Sequence, residues 1–274
     1  MATPTLRPLE FGEILDTAFS VLRRNVWTFV VVSLIPSVIG AAALGLLVAS
    51  VTGSSASRSG SQPTSDEVNA LIGGVFVTVL VAAITSQLAT AALYKAVVDT
   101  YIDGAAKAGD ALRFALRRLP SLLWISLLYV LGIALGFVLF VVPAVFLYVA
   151  WSLAIPALMS EDARGWKALR RSRRLVKGRW GRAFGLFAVT LAIGLTFGEI
   201  VSLLVGLLID KSGSGTTQDG ISTFASTLIA STLTGPLTAA VTAVLYIDLR
   251  VRKEGLDIQL LLARSPSPDA PSTT

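Results

Sequence analysis

The apolar positions of the chain fall into six long segments, with polar residues between them. A helix needs about 20 apolar residues to cross a bilayer, and each segment lies close to or above that length. The third and fourth segments are almost contiguous, so we expect them to form a tight helical hairpin. The pattern predicts six membrane spans: Val26–Val51, Val68–Val98, Pro120–Phe140, Pro143–Met159, Ala183–Ile209 and Ile221–Leu249.

An amphipathic segment precedes each odd-numbered span. In the first, Ile14, Leu15, Ala18 and Leu22 recur at helical spacing, which predicts a helix with one apolar face. The second covers residues 104–119, and the third runs from Asp162, a predicted N-cap, to about residue 180, with a possible stop at Gly178. Each segment carries an arginine pair and is followed by a tryptophan. This weak repeat predicts three hairpins, each preceded by an interfacial helix.

The basic residues indicate the orientation of the spans. Of the 23 Lys and Arg residues, 21 fall in alternate segments between the predicted spans, and the other segments hold only 2. Cytoplasmic loops of membrane proteins carry the Lys and Arg excess. We therefore expect a multi-pass protein of the plasma membrane with both termini in the cytoplasm.

Composition supports the same architecture. The chain is 54% hydrophobic and 15% charged, whereas soluble domains are about 25% charged. We expect an all-α integral membrane protein with a cytoplasmic amphipathic helix at residues 1–25, a six-span domain at 26–262 and a disordered tail at 263–274. The net charge of +6 then points to membrane lipids and not to nucleic acid.

The residue types that are missing narrow the chemistry. The sequence has no Cys and no His, so it lacks the commonest general base and the commonest metal ligand. It also shows no phosphate-binding loop and no nucleophile motif. We therefore expect no metal, no cofactor and no catalytic residues.

Several polar landmarks carry a family resemblance. The chain resembles bacterial proteins of the glycerophosphoryl diester phosphodiesterase membrane-domain family through three stretches: Leu6–Asp16, Ala168–Trp180 (with Pro156 and Glu161 before it) and Asp248–Asp257. In the enzymes of that family, such a membrane domain precedes a soluble catalytic barrel that uses histidines. This chain has no segment for the barrel and no histidine, so the resemblance implies membrane placement and not phosphodiesterase activity.

The densest basic cluster lies between the fourth and fifth spans. One interpretation is that its charges only fix the topology. The other is that it binds anionic lipid headgroups, with Trp166, Leu169, Val176 and Trp180 anchoring a surface helix in the membrane. The headgroup candidates are Lys167, Arg170, Arg171, Arg173, Arg174, Lys177 and Arg179. This favours a non-catalytic protein that engages lipids or partner proteins of the cell envelope.

A different function is suggested by ionisable and helix-breaking residues within the spans. Glu199 is the single charge well inside a predicted span, and such residues are often functional. Pro36, Pro156 and Pro236 could break spans around a midplane site, as in transporters. These features leave open a small transporter or lipid translocator. The simpler interpretation is that the prolines only kink the helices and that Glu199 reaches polar headgroups.

Two pairs of glycines are spaced for close helix packing. Gly132 and Gly136 form one pair, and Gly194 and Gly198 form the other. Glycines four residues apart let two membrane helices approach closely. They predict packing within one subunit or, alternatively, a homo-oligomer.

Overall fold

The computed structural model describes residues 7–56, 64–103, 105–161, 163–209 and 216–255. Every regular element in these ranges is an α-helix. The helices are α1 (Phe11–Arg24), α2 (Val26–Ala56), α3 (Ser65–Asp103), α4 (Ala108–Leu139), α5 (Val141–Trp151), α6 (Ala154–Glu161), α7 (Trp166–Val176), α8 (Trp180–Ile209) and α9 (Thr216–Glu254).

Six helical segments are long and apolar enough to cross a membrane, which confirms the predicted all-α membrane fold. Five are the single helices α2, α3, α4, α8 and α9, and the fourth span combines α5 with α6. They extend over Val26–Val51, Val68–Tyr101, Ala108–Leu139, Val141–Glu161, Trp180–Leu208 and Gly220–Glu254.

The three predicted hairpins, α2–α3, α4–α5 and α8–α9, are present, and each span contacts the next one along the chain. The first and last spans, α2 and α9, share the most extensive contact in the bundle. The contact between α5 and α8 is the least extensive among consecutive spans. The bundle is therefore closed by its two terminal spans, and its loosest seam lies between the fourth and fifth.

The predicted amphipathic segments do not all form separate helices. The first becomes α1, which has Asn25 as its C-cap, and the third becomes α7, which ends before Gly178. The second is continuous with its span in α4, because no left-handed residue interrupts the chain there and Pro120 is accommodated inside the helix. The predicted N-cap is wrong, since α7 begins at Trp166 after Gly165, and Asp162 lies outside the described residues.

One end of the bundle gathers most of the charged residues, and we call it the basic end. It contains α1, α7, the first turns of α4 and the last turns of α9. Helix α9 contacts both α1 and α7, and α7 also contacts α4. Further hydrogen bonds tie this end to the spans: Arg118 of α4 donates one of 2.7 Å to the carbonyl oxygen of Leu158 in α6, and Asn25 donates one of 3.3 Å to Thr100 in α3.

The apolar face of α7 is buried in the protein and not in lipid. Leu169 and Val176 are fully enclosed, together with Ala168 and Leu175, whereas Trp166 remains 55% exposed. The prediction of a membrane-anchored surface helix is therefore wrong for Leu169 and Val176. An amphipathic helix can bury its apolar face equally well against a protein core, and here α5 and α6 provide that core.

The fourth span is interrupted between α5 and α6, and α7 stabilises the interruption. A proline has no N–H to bond the carbonyl four residues earlier, and its ring clashes with that carbonyl in a regular helix. For Pro156, this carbonyl belongs to Ser152. The hydroxyl of Ser172, fully buried in α7, accepts a 3.0 Å hydrogen bond from the Leu153 nitrogen and donates one of 2.8 Å to the Ala150 carbonyl. The backbone groups that the break leaves unpaired within the helix are thus satisfied by a side chain.

The other two prolines do not break their spans. Pro36 lies inside the continuous helix α2, and Pro236 lies inside α9. Membrane helices tolerate proline when neighbouring groups satisfy the freed carbonyl. The prediction of broken helices therefore holds only near Pro156.

Candidate functional site

One cluster of charges at the basic end is built around Arg171. Its guanidinium donates hydrogen bonds to Glu161 on α6 (Nε to Oε2, 2.6 Å) and to Glu254 on α9 (Nη2 to Oε2, 2.7 Å). The Tyr246 hydroxyl donates a further bond of 2.5 Å to Glu161. Hydrogen bonds to Glu254, which have the larger effect, and to Glu161 raise the pKa of the Arg171 guanidinium above its ordinary value.

This cluster changes the interpretation of Arg171 as a headgroup ligand. Its side chain is only 16% exposed and is held by two carboxylates. A planar guanidinium that is already paired with carboxylates on two sides has little capacity left for a phosphate. The structure therefore gives Arg171 a role in joining α6, α7 and α9.

A second cluster, the Asp248 clamp, holds the segment before α1. The buried Asp248 carboxylate accepts hydrogen bonds from the Leu9 backbone nitrogen (2.8 Å) and from Arg252 Nε (3.0 Å). Arg182 Nη2 lies 3.7 Å from the same carboxylate. Arg182 and Arg252 also donate to the Leu9 carbonyl oxygen. The clamp fixes the N-terminal segment against the ends of α8 and α9.

The basic end also contains a pocket of about 430 Å³, which we call the basic pocket. It forms where α5, α7 and α8 meet, at the loose seam between the fourth and fifth spans. Its walls are formed by Phe146, Ala150, Arg170, Arg173, Arg174, Val176, Lys177, Gly178 and Trp180.

Four cations of the basic pocket are the predicted headgroup candidates Arg170, Arg173, Arg174 and Lys177. All four are exposed, and none forms an ion pair with a carboxylate within the described part of the chain. The positive charge of the pocket is therefore not neutralised by neighbouring side chains.

The turn between α7 and α8 shapes the pocket. Gly178 has φ of 81°, a left-handed conformation that glycine adopts without steric cost. This turn separates α7 from α8, which starts at Trp180, and it places Trp180 in the wall of the pocket. The predicted helix stop at Gly178 is confirmed.

Aromatic residues form the wall of the pocket on the side of the spans. The Trp180 ring stacks on Phe146 with centroids 6.1 Å apart and on Phe184 with centroids 5.1 Å apart. The Trp180 Nε1 atom is buried and has no hydrogen-bond partner among the described residues. The described protein groups therefore leave this donor without an acceptor.

A lysine on α9 neutralises the end of α7. Lys253 Nζ donates hydrogen bonds to the carbonyl oxygens of Arg174 (2.9 Å) and Lys177 (2.5 Å). The last carbonyls of a helix carry partial negative charge. Because Lys253 occupies them, they do not oppose an anion bound beside Lys177.

The remaining candidates lie elsewhere. Lys167 and Arg179 are exposed but do not line the basic pocket. Glu199 is exposed on α8, far along the helix from the basic end. No contact among the described residues places Glu199 beside Pro36, Pro156 or Pro236, which the transport interpretation requires.

The two glycine pairs differ in their surroundings. A Cβ at Gly132 would lie 2.1 Å from the Trp151 ring, and one at Gly136 would lie 2.9 Å from the Ala144 backbone. These two glycines therefore permit the close contact of α4 with α5. A Cβ at Gly194 or Gly198 meets no atom of the described residues within 4 Å, so that pair does not serve packing against this part of the chain.

Sequence reasoning missed Phe146, which lines the pocket, and Lys253, which caps the end of α7. Phe146 stands in an uninterrupted apolar run, which contains no signal that distinguishes it. Lys253 belongs to the C-terminal stretch that carries the family resemblance, but its contact with α7 requires the tertiary fold. A helix-capping lysine from a distant helix leaves no local sequence pattern.

Comparison with known proteins places the chain in a family without giving it an activity. A family model described as a domain of unknown function, DUF8558, matches residues 114–254. No curated protein and no solved structure matches the chain. The matched segment contains every residue of the basic pocket and of the Arg171 cluster. Since it covers just over half of the sequence, the chain belongs to the DUF8558 family.

Proposed function

We propose that this is a non-catalytic membrane protein that binds the phosphate group of anionic lipids in the basic pocket. The observation that carries the proposal is the set of four unpaired cations, Arg170, Arg173, Arg174 and Lys177, around one concave site. Such a site can also recruit or organise other envelope proteins at anionic lipid, which is the broader role that we propose.

The electrostatics of the pocket support an anionic ligand. Each Lys or Arg near an anionic membrane surface contributes about 1 kcal/mol, reduced by salt. The pocket also adjoins the first turn of α8 at Trp180 and Gly181, where helix N-terminal dipoles favour negative charge. Four side chains and a helix end therefore attract the same ligand.

The surroundings of the pocket support a lipid as the source of that anion. Trp180 is the kind of residue that concentrates at the interface between membrane and water. Phe146 on the same wall belongs to a membrane span. A lipid could therefore place its phosphate among the arginines while its acyl chains lie along the seam between α5 and α8.

We further propose that the basic end faces the cytoplasm and that the membrane is the plasma membrane. The distribution of Lys and Arg between alternate segments supports this orientation. The anionic lipids of the inner leaflet are then in contact with the pocket.

The proposal can be tested with the full-length protein in nanodiscs that contain mixed dioleoyl phosphatidylglycerol and phosphatidylcholine. Retained lipid is measured by native mass spectrometry. We expect the triple variant R170Q/R173Q/R174Q to retain about tenfold less phosphatidylglycerol, which is the screened effect of three charges. Arg171 is left unchanged because it supports the fold.

A matched control removes the same charge from the same end. Arg23, Arg24 and Arg117 are exposed and do not line the pocket, so R23Q/R24Q/R117Q should change retention less than twofold. Equal losses in both triple variants would show general surface attraction and refute a specific site. Unchanged retention in R170Q/R173Q/R174Q would show that the cluster only sets topology.

The indole donor gives an independent test. Trp180→Phe keeps the stack with Phe146 but removes the Nε1 hydrogen, so retention of phosphatidylglycerol should fall a few-fold. An excess of inorganic phosphate distinguishes the source of the anion. Displacement of the lipid by millimolar phosphate would mean that the pocket recognises free phosphate and not a membrane lipid.

A further inference from the structure

A larger cavity lies among the spans, apart from the basic pocket. Its volume is about 830 Å³, within the range of roughly 300–1,000 Å³ that is usual for small-molecule sites. On α2 its wall extends from Ser33 to Leu47, which is about 21 Å at 1.5 Å per residue. The cavity is therefore elongated along the spans, like an acyl chain and unlike a compact solute.

No Asp, Glu, Lys or Arg of the described residues contributes to this wall. The wall is mainly apolar, with serine, threonine and tyrosine side chains placed along it. Glu199 is not part of it. An anion would find no counter-charge in this cavity, so its ligand differs from that of the basic pocket.

The hydroxyl groups of the wall are mostly used as donors within the protein. On α3, Thr85 Oγ1 donates a 2.8 Å hydrogen bond to the Val81 carbonyl, and on α9, Thr234 Oγ1 donates one of 2.8 Å to the Ala230 carbonyl. A hydroxyl has one hydrogen and two lone pairs, so these groups can only accept from a ligand. The same holds for Ser86, Thr90, Ser126, Ser152, Ser231, Thr238 and Thr242.

One acceptor in the wall is left without any partner. The Oε1 atom of Gln87 on α3 is buried and forms no hydrogen bond within the described part of the chain. Buried polar atoms in proteins nearly always have a partner. Gln87 lines the cavity, so a ligand that carries an O–H donor could supply the bond that Oε1 lacks, or donate to the hydroxyl oxygens elsewhere on the wall.

We propose that this cavity binds an uncharged lipid with a free hydroxyl group, of the diacylglycerol type. The elongated apolar wall accommodates the chains, the acceptor-rich lining selects a donor, and the absence of charge on the wall excludes phosphate. A free polyol lacks chains to fill the apolar length of the cavity. This site is independent of the proposed phosphate site.

The experiment uses the full-length protein in mild detergent with tritiated 1,2-dioleoylglycerol. Its 3-O-acetyl ester, which has the same chains but no donor, and dioleoyl phosphatidic acid, which is charged, are the comparison probes. Retention after gel filtration should be at least fivefold higher for dioleoylglycerol than for either comparison probe. Equal retention of the ester or of phosphatidic acid would overturn the proposal, as would displacement by excess glycerol.

Two adjacent alanines on α3 provide matched variants. Both are exposed, but Ala82 lines the cavity and Ala83 does not. Ala82→Phe should reduce retention of dioleoylglycerol at least fivefold, and Ala83→Phe should leave it within twofold. A similar effect of both variants would place the bound lipid on the outer surface of the bundle.

Gln87→Leu tests the hydrogen bond without filling the cavity. It should lower retention of dioleoylglycerol several-fold and leave the weak retention of the acetyl ester unchanged. An equal change for both probes would show that Gln87 acts only through the fold. The triple variant R170Q/R173Q/R174Q should retain dioleoylglycerol as the unmodified protein does, whatever its effect on phosphatidylglycerol.

Discussion

The backbone nitrogen of Leu9 donates a hydrogen bond of 2.8 Å to Oδ1 of Asp248. The two residues are 239 positions apart, so this bond joins the segment before the first span to the last turns of the sixth. The Asp248 side chain is 0% exposed, and Arg252 and Arg182 lie beside it. The contact stabilises the closure of the bundle by α2 and α9.

Replacing Asp248 with Asn should destabilise the protein. The amide can still accept the bond from Leu9, but Arg252 and Arg182 lose their counter-charge in a largely buried place, at a cost of about 3 kcal/mol. We expect a clearly lower thermal unfolding temperature in detergent. Asp16→Asn is the control, because Asp16 is exposed in the middle of α1. Unfolding temperatures that are the same for both variants would contradict the role of the clamp.

Arg171 and Arg170 are neighbours in sequence that should respond differently to lysine. Arg171→Lys loses the forked contact with Glu161 and Glu254, and we expect a loss of about 2 kcal/mol in stability. Arg170→Lys keeps the charge of an exposed side chain and should unfold at the temperature of the unmodified protein. Thermal unfolding followed by circular dichroism measures both. Equal stability of the two variants would show that Arg171, like Arg170, is a surface cation without a role in the fold.

The two glycine pairs should also differ on substitution. Gly132→Ala forces a methyl group into the Trp151 ring, and overpacking of this kind costs about 1–3 kcal/mol. Gly194→Ala meets open space and should be neutral or slightly stabilising. Thermal unfolding of the two variants gives the comparison. A destabilised Gly194→Ala variant with reduced mass in light scattering would instead support the predicted homo-oligomer.

The proposed orientation can be tested because the chain has no cysteine. Ser20 is exposed on α1 at the basic end, and Ser65 is exposed at the start of α3 at the opposite end. In intact cells, an impermeant thiol reagent should label Ser65→Cys and should label Ser20→Cys only after permeabilisation. The reverse labelling would invert the topology.

The sequence predicted the candidate site only in part. Seven basic residues between α6 and α8 were expected to bind headgroups, and four of them line the basic pocket, while Arg171 is enclosed by carboxylates. The difference between Arg170 and Arg171 is a rotation of about 100° around α7. Which face of that helix meets Glu161 and Glu254 depends on α6 and α9, and no local pattern contains this information. The resemblance to the phosphodiesterase membrane-domain family stays a prediction.

The sequence by itself determined the number, position and helical character of the six spans. Unpaired backbone groups are so costly in hydrocarbon that a 20-residue apolar segment has few alternatives to a helix, and this constraint is local. Tertiary structure alone decided what the polar and amphipathic segments do. The apolar face of α7 packs on protein and not on lipid, Ser172 bridges the break in the fourth span, and Asp248 binds Leu9. The contact of Asp248 joins residues 239 positions apart, and those of Ser172 join residues 19 and 22 positions apart. All of these lie beyond the range of a local helical pattern, and many arrangements of partners satisfy the same local pattern.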